Sequence, residues 1–259
     1  MEEILVPVQY KGFDLEISAY IHRNSDQCIL CLHGLQSNKD IFKNVMINSF
    51  LKDYSILMVD FIGFGNSSKP KEFSYELMDQ AKVIRAIITS LKMRNIHLIG
   101  HSMGGMIGIL LLDMIPKKII SLINLEGNLV LEDCETSKDV GNFTFEEFHT
   151  FGFQKIKDEI RESNEKSAKC RETWLNQIPD YAFYNSSLSI VTWSKRRRLL
   201  SIFMKSKHKK LFVYGDKNKF KTNPLTSKIQ LAEIPHAGHF MMIDNAKSCA
   251  EQIEQFLHQ

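Results

Sequence analysis

Short apolar runs alternate with helical patterns along most of the chain. Residues 14–21 alternate polar and apolar side chains, which predicts a half-buried strand, whereas residues 28–32 are continuously apolar, as in a strand covered on both faces. Further short runs rich in Ile, Val and Leu predict strands at residues 55–61, 96–99, 119–125, 211–214 and 229–234. Amphipathic or apolar helical patterns separate them at residues 41–51, 75–91, 106–115 and 246–257. This alternation predicts an α/β fold with right-handed crossovers and a mainly parallel sheet.

One stretch interrupts the alternation. About 80 residues, from Gly127 to Lys207, separate two predicted strands and have the pattern of several helices joined by polar segments. Because so long a segment is not expected to be a loop, we predict a helical insertion. The expected domain organisation is an α/β core formed by residues 1–126 and 208–259, with residues 127–207 as a helical cap, or lid.

Composition narrows the class of protein. With 44% hydrophobic and 24% charged residues, the chain matches an ordinary soluble globular protein. The 33 Lys and Arg against 30 Asp and Glu give too balanced a charge for a nucleic-acid-coating protein, so no nucleic acid is expected as a partner. The acidic start at Met1 and the short apolar run at residues 107–112 predict neither a secretory signal nor a membrane span. Five scattered cysteines favour reduced thiols and a cytoplasmic location.

A motif for nucleophilic chemistry follows the strand that ends at Ile99. Residues 100–105 read Gly-His-Ser-Met-Gly-Gly, and an apolar helix comes next, which is the G-x-S-x-G pattern in a strand–turn–helix context. Small neighbours at Gly100 and Gly104 permit a tight, strained turn that lifts the Ser102 hydroxyl clear of the sheet. The helix that starts behind it directs N–H groups towards a developing oxyanion. Ser102 is therefore the candidate nucleophile.

A serine hydroxyl needs a base, and nine histidines are available. His239 lies between the last strand and the last helix, where the topology brings it to the same sheet edge as Ser102, so it is the predicted base. His236 is its nearest competitor. We expect the side chain of His101 to point away from the site, and His33 to shape a loop by hydrogen bonding.

The sequence resembles the α/β-hydrolase superfamily over nearly its whole length. The resemblance rests on four segments in order: His33-Gly34-Leu35 after an early strand, residues 60–67 (Asp-Phe-Ile-Gly-Phe-Gly-Asn-Ser) after the next, the turn at Ser102, and Gly238-His239 near the end. It implies a serine hydrolase with the α/β-hydrolase fold and a helical cap. It also implies an oxyanion hole formed by the backbone N–H groups of Leu35 and Met103, and neither a cofactor nor a metal.

The acid that orients His239 is the point at which the sequence departs from the superfamily. Many members carry it three residues past a glycine after the next-to-last strand, and here that position is Asn218, which cannot balance an imidazolium. Two carboxylates preserve the order nucleophile, acid, histidine: Glu126, at the end of the strand beside the nucleophile strand, and Asp216. Neighbouring strands lie ~4.8 Å apart, so Glu126 is close enough to share the histidine. We favour Glu126 and keep Asp216 as the alternative acid.

The predicted cap holds two further features. Ten aromatic residues exceed what a few short helices need for packing. Core packing explains most of them, and we expect some to line an apolar acyl pocket: Phe143, Phe145, Phe148, Phe151, Phe153, Trp174, Tyr181, Phe183, Tyr184 and Trp193. Residues 195–210 contain eight cations and no acid: Lys195, Arg196, Arg197, Arg198, Lys205, Lys207, Lys209 and Lys210. Such a run is usually a solvated face, but it also suits an anionic substrate or an acidic acyl carrier as a partner.

These features predict a serine esterase or thioesterase that cleaves a small to medium acyl ester through an acyl-enzyme intermediate. In this hypothesis Ser102 attacks, His239 transfers the proton and Glu126 orients the ring. Amide cleavage, hydrolysis of a carrier-linked ester and acyl transfer use the same residues and stay open as alternatives. So does a non-catalytic binding module of the same fold, which Asn218 favours and an intact Ser102 and His239 oppose.

Overall fold

Eight strands form one mixed sheet in the part of the chain that the computed structural model describes, which is residues 1–47, 50, 52–225 and 229–259. In chain order they are β1 (Glu2–Tyr10), β2 (Phe13–His22), β3 (Cys28–Leu32), β4 (Ser55–Val59), β5 (Ile96–His101), β6 (Ile119–Leu125), β7 (Lys209–Gly215) and β8 (Gln230–Ile234). They lie side by side in the order β1-β2-β4-β3-β5-β6-β7-β8. The pairs β1–β2 and β2–β4 are antiparallel and the other five are parallel. The mainly parallel α/β architecture predicted from the sequence is confirmed.

Helices connect the strands and cover both faces of the sheet. The α-helices of the described residues are α1 (Lys43–Ile47), α2 (Leu77–Ser90), α3 (Met103–Met114), α4 (Glu135–Val140), α5 (Phe145–Glu147), α6 (Phe153–Glu162), α7 (Ala168–Leu175), α8 (Asp180–Lys195), α9 (Arg198–Lys205), α10 (Met241–Asp244) and α11 (Ala246–Leu257). A π-helical turn, Phe148–Gly152, joins α5 to α6. Short 3-10 helices occupy Lys39–Phe42, Pro116–Lys118, Leu131–Asp133 and Asp216–Thr222.

The helices flanking the central strands lie close to the predicted positions, with two differences. The helix predicted from residue 106 begins at Met103, directly after the serine turn, so its first N–H groups face the site. The helix predicted over residues 41–51 starts as the 3-10 turn Lys39–Phe42 and continues as α1 to Ile47. Residues 48, 49 and 51 of that predicted helix lie outside the described residues.

Strand β1 was not predicted, and its place in the sheet gives the reason. It is an edge strand that pairs only with β2, and Val6 and Val8 are its buried side chains. Pro7 lies between them, and a proline within an apolar run argues against a strand unless that strand lies at an edge. The short alternation around a proline therefore carried too weak a signal.

The core has one cluster on each face of the sheet. Cys28 and Cys31 illustrate the division, because Cys28 packs in the cluster that includes α2 and α3, and Cys31 in the cluster that includes α1 and α11. Both side chains are buried. Their placement on opposite faces of β3 matches the period-two geometry of a strand and agrees with the prediction that each is a small core residue.

The segment between β6 and β7 is helical, as predicted, and contains α4 to α9. It packs on the rest of the molecule through α9 against α3 and α8 against α2. None of the helices in the described ranges is long and apolar enough to span a bilayer.

The parallel register brings the carboxyl ends of β5 to β8 to one edge. His101 pairs with Leu125, Leu125 with Val213, and Gly215 with Ile234. The residues that follow are held by the same ladder, since the Ser102 N–H donates to the Leu125 carbonyl at 3.0 Å and the Glu126 N–H to the Val213 carbonyl at 3.0 Å. This edge is therefore where Ser102, Glu126 and the loop after β8 meet.

Candidate active site

Ser102 occupies the turn between β5 and α3 in a left-handed backbone conformation. Its φ of 52° and ψ of −118° are unfavourable for a residue other than glycine, at a cost of about 1–3 kcal/mol. The turn is tight, because a Cβ on Gly104 would lie 2.0 Å from the Leu32 carbonyl oxygen. The strained turn fixes Ser102 at the rim of the sheet, where its side chain lines a cavity of 860 Å³.

The Ser102 hydroxyl donates to an amide rather than to a histidine. Its acceptor is Asn128 Oδ1 at 3.4 Å, and Asn128 Nδ2 donates in turn to the Asp133 carbonyl at 2.5 Å. Among the described residues no hydrogen bond joins Ser102 to His239, although both side chains line the same cavity. The hydroxyl must therefore exchange its acceptor before it can donate to the imidazole.

The residues of the predicted oxyanion hole, Leu35 and Met103, lie near Ser102. The N–H of Met103 is the first of α3 and has no partner within that helix. Leu35 lies in the turn after β3 and lines the cavity. This turn packs directly on the nucleophile, because a Cβ on the preceding Gly34 would lie 3.1 Å from Ser102 Cβ. Both amides are positioned by rigid elements beside Ser102.

His239 lies in the loop between β8 and α10, and its ring contacts Glu126. The distance from His239 Nδ1 to Glu126 Oε2 is 2.7 Å. Desolvation, together with the positive charge of Lys221, lowers the pKa of His239 below its ordinary value, against the opposing effect of Glu126. A neutral ring that donates from Nδ1 keeps the Nε2 lone pair free to accept a proton.

Glu126 is fully buried at the end of β6, and its carboxylate is held from several sides. The Gly215 N–H donates to Oε1 at 2.9 Å, and Asn218 Nδ2 lies 3.2 Å from Oε1 and 3.0 Å from Oε2. Desolvation raises the pKa of Glu126, but the bond to His239, the charge of Lys221 and the Gly215 N–H together bring it below the ordinary value. The group is therefore a carboxylate at neutral pH. The Glu126 backbone is left-handed, with φ 47°, which adds strain at a second residue of the site.

Asn218 and Lys221 belong to this site, and only Asn218 carried a signal in the sequence. Asn218 occupies the position at which many relatives carry the acid, and it donates to the carboxylate that lies on β6 instead. Lys221 Nζ lies 3.6 Å from Glu126 Oε2, and the Lys221 side chain is 7% exposed. Nothing in the chain's pattern distinguishes Lys221 from its neighbouring lysines, so sequence reasoning missed it.

The alternative acid, Asp216, lies elsewhere. Its carboxylate is exposed to solvent and accepts the backbone N–H groups of His236 at 2.7 Å and Ala237 at 3.1 Å. The hydrogen bond from the His236 N–H is the largest cause of the lowered pKa of Asp216. Asp216 thus anchors the start of the loop that carries His239, and the structure brings Glu126, not Asp216, to the imidazole.

His101 does not point away from the site, and that prediction was wrong. Its ring packs against the ring of His239, with centroids 4.6 Å apart, and its Nε2 donates to the His239 carbonyl at 2.9 Å. Burial keeps the pKa of His101 well below its ordinary value, so the ring is a neutral donor. His101 is the last paired residue of β5, and its side chain reaches the loop that carries His239. His33 shapes its loop as predicted, with Nδ1 2.8 Å from the Gly34 carbonyl oxygen and Nε2 accepting the Phe61 N–H at 3.0 Å.

The cavity beside Ser102 has a largely polar lining, and the expectation of an aromatic pocket was wrong. Leu35, Ile190 and Phe240 supply apolar surface, but none of the ten aromatic residues singled out in the cap is among the lining residues that the structure describes. They pack on one another instead: Phe148 lies 6.1 Å from Phe183, centroid to centroid. Phe148, Phe153 and Phe183 are buried in the interior of the helical segment, whereas Phe145 and Phe151 are exposed.

The basic stretch at residues 195–210 lies apart from the cavity. In the described chain none of its eight cations lines the cavity, and Lys209 and Lys210 belong to β7. Lys210 Nζ donates to the Phe203 carbonyl at 2.7 Å, while the Arg198 guanidinium lies 5.7 Å from the Trp193 ring. These contacts are structural. In the same described ranges no cluster of three or more His, Cys, Asp and Glu side chains could hold a metal ion.

Comparison with known proteins places this geometry in a family. A family model described as alpha/beta hydrolase fold matches residues 27–173. The chain is similar to Lipase 3 of Moraxella sp. (strain TA144), with 27% identity covering 88% of this chain and 76% of the lipase. It is also similar to a putative esterase/lipase of Haemophilus influenzae, with 25% identity covering 89% and 83% of the two chains.

The fold matches those of solved esterases. A thermophilic esterase from Thermogutta terrifontis superposes with a TM-score of 0.79, covering 100% of this chain and 98% of the esterase. The identity in that alignment is 14%, so this likeness concerns the fold.

Proposed function

This chain belongs to the α/β-hydrolase fold family and is a hydrolase of the esterase/lipase type, and from that premise we propose that it is a serine esterase whose triad is Ser102, His239 and Glu126. The observation that carries the proposal is the 2.7 Å contact between His239 Nδ1 and Glu126 Oε2 beside a serine in the strained turn. The substrate class we propose is a carboxylic ester or thioester of a small to medium acyl group.

The reaction begins when the Ser102 hydroxyl leaves Asn128 Oδ1 and donates to His239 Nε2. His239 accepts the proton as the oxygen attacks the acyl carbon, and the backbone N–H groups of Leu35 and Met103 stabilise the oxyanion. The imidazolium then protonates the leaving alcohol or thiol. Water, activated by the same ring, hydrolyses the acyl-enzyme and regenerates the serine.

The charges of the site suit this sequence. Glu126 is an anion before the reaction, so it stabilises the imidazolium that forms during attack without itself gaining a proton. The Gly215 N–H and the Asn218 amide hold the carboxylate in place, so little reorganisation accompanies the change in charge. Asn218, which favoured a non-catalytic binding module when read alone, here supports the acid of the triad.

We propose residues 127–207 as the cap over this site. Cavity-lining side chains come from both proposed parts of the chain, including Ser102 and His239 from the core and Thr136, Arg171 and Ile190 from the cap. No observation places the cations of the basic stretch at the cavity, so a carrier-linked ester has less support than a free one.

Labelling with a fluorophosphonate probe tests the proposal. The wild-type chain is expected to be labelled covalently and to hydrolyse p-nitrophenyl acetate, whereas Ser102→Ala loses both reactions. Asn223→Ala, at an exposed position far from the turn in sequence, is a control that keeps both. Undiminished labelling or hydrolysis in a folded Ser102→Ala variant would contradict the assignment.

A further inference from the structure

A lysine side chain is buried next to the carboxylate of the proposed triad. Lys221, in the 3-10 helix Asp216–Thr222, is 6% exposed and lines the cavity that holds Ser102 and His239. A lysine ammonium is rarely buried without a specific partner, because removing it from water is unfavourable. The catalytic sequence described above makes no use of this cation.

The contact between Lys221 and Glu126 is electrostatic. Nζ lies 3.6 Å from Glu126 Oε2, beyond hydrogen-bond distance, and that oxygen already accepts from His239 Nδ1 and Asn218 Nδ2. Because Nζ and Nδ1 both approach the same oxygen atom, they lie within about 6.5 Å of each other. The cation therefore acts on the carboxylate and on the imidazole together.

We propose that Lys221 is a positioning residue, whose charge offsets that of Glu126 and so keeps His239 in the unprotonated form that serves as the base. The inference rests on the proposed triad. A buried carboxylate with no neighbouring cation strongly favours protonation of the histidine that contacts it. With Lys221 present, the negative charge of Glu126 is already offset by a cation, so it favours protonation of His239 less strongly.

Arg171 is the other cation that lowers the pKa of His239, and its effect is smaller than that of Lys221. From α7, Arg171 hydrogen bonds to Gln36 and forms an ion pair with Glu165. From α10, Asp244 accepts the Gly238 N–H at 2.9 Å.

Two further titratable groups, His101 and Asp133, lie near His239 and Lys221. From β5, His101 is neutral and contributes a hydrogen bond to the His239 carbonyl. Asp133, which also feels the charge of Lys221, accepts the backbone N–H groups of Leu129 and Val130. After desolvation, the charge of Lys221 is the largest cause of the lowered pKa of His239.

The proposal has a signature that a purely structural role lacks. Lys221 disfavours the imidazolium both in the free enzyme and in the transition state, where the ring is also protonated. Removing the charge therefore raises the pH needed for an unprotonated base without lowering the rate once that pH is exceeded. If Lys221 only supported the fold, its removal would lower the plateau of kcat/KM and leave the midpoint of the pH profile unchanged.

The experiment compares the pH dependence of kcat/KM for p-nitrophenyl acetate in the wild-type chain and three variants. Lys221→Met removes the charge, Lys221→Arg keeps it, and Lys219→Met removes an exposed charge from the same 3-10 helix as a matched control. A unit charge ~6 Å away, at an effective dielectric constant of ~40 for a cavity that water enters, shifts a pKa by about one unit. We expect the acidic midpoint to rise by about one pH unit in Lys221→Met and to stay unchanged in the other two.

A second measurement does not depend on turnover. In a Ser102→Ala background, the imidazole proton resonances of His239 are titrated by NMR with Lys221 intact and with Lys221→Gln, which keeps a polar side chain if methionine prevents folding. The midpoint is expected to rise in the glutamine variant. An unchanged midpoint in both measurements overturns the proposal for Lys221. Failure of the triad itself shows separately, as activity retained in Ser102→Ala.

Discussion

Replacing Glu126 by glutamine is the sharpest single change to the site. The carboxylate oxygens accept from the Gly215 N–H, the Asn218 amide and His239 Nδ1. A glutamine has one acceptor oxygen, and the Gly215 and Asn218 donors hold that oxygen on their side. Its NH2 group then faces His239 Nδ1 and favours the tautomer in which Nε2 carries the proton. That tautomer cannot accept the proton of Ser102.

The expected loss follows from the tautomer. In the serine protease triad the equivalent carboxylate-to-amide change lowers kcat about 10,000-fold. The variant also leaves the imidazolium that forms during attack without an anion, while the positive charge of Lys221 stays 3.6 Å from the former Oε2 position. We expect kcat/KM to fall by about 1,000- to 10,000-fold, which corresponds to about 4–5.5 kcal/mol of lost transition-state stabilisation.

The assay is hydrolysis of p-nitrophenyl acetate at a pH on the activity plateau, with thermal denaturation to verify folding. Asp216→Asn is the matched control, because it makes the same chemical change at the other candidate acid. The Asp216 carboxylate accepts backbone N–H groups and does not contact His239, so its variant should lose less than tenfold, about 1.4 kcal/mol. A larger loss in Asp216→Asn than in Glu126→Gln would refute the placement of the acid on β6.

Three further outcomes follow from the same structure. In the wild-type chain the acidic midpoint of the kcat/KM profile should lie below the ordinary histidine pKa of ~6.5, because the pKa of His239 is lowered and its ring stays neutral to lower pH. A midpoint above ~6.5 in a pH–rate profile contradicts this. Gly104→Ala should lower the free energy of unfolding, measured by urea denaturation, by more than ~4 kcal/mol, since its Cβ would lie 2.0 Å from a backbone oxygen. The control Gly141→Ala, whose Cβ would have its nearest atom at 3.3 Å, should change that free energy by less than ~1 kcal/mol. Lys39→Met should cost about 3–5 kcal/mol in the same assay, because it leaves the fully buried Asp60 without its cation at 2.7 Å; a loss under 1 kcal/mol would show that the pair is not stabilising.

The part of this molecule that could be predicted from its sequence is the part set by local pattern. The apolar runs that became β3 to β7 are largely buried on both faces, so composition alone marks them, whereas the edge strand β8 has one exposed face. The glycines around Ser102 mark a turn that only small residues permit. Strand β1 lacked such a mark, because Pro7 interrupts it and only one of its faces is buried. Local pattern also failed for His101, whose direction depends on where the loop after β8 lies.

The aromatic residues of the helical segment show a different limit. Their number alone suggested surface for a ligand, but the packing of Phe148 and Phe183 shows that short helices can use several aromatic side chains to build their own interior. The number of aromatic residues does not indicate which of their side chains face the cavity. The lining of the site comes instead from loop residues and helix ends with little periodicity, such as Asn128, Thr136 and Asn218.

The acid of the site shows how a departure from a family pattern can itself be informative. Asn218 and Glu126 are complementary: an amide donor lies at one position and the carboxylate that accepts from it at the other, with Nδ2 within 3.2 Å of both oxygens. Carboxylates at both positions would place two buried negative charges within hydrogen-bond distance, and one of them would have to take up a proton. Amides at both positions would leave His239 without an anion. Asn218 therefore fits the proposed placement of the acid at Glu126, because its amide donates to the carboxylate that contacts His239.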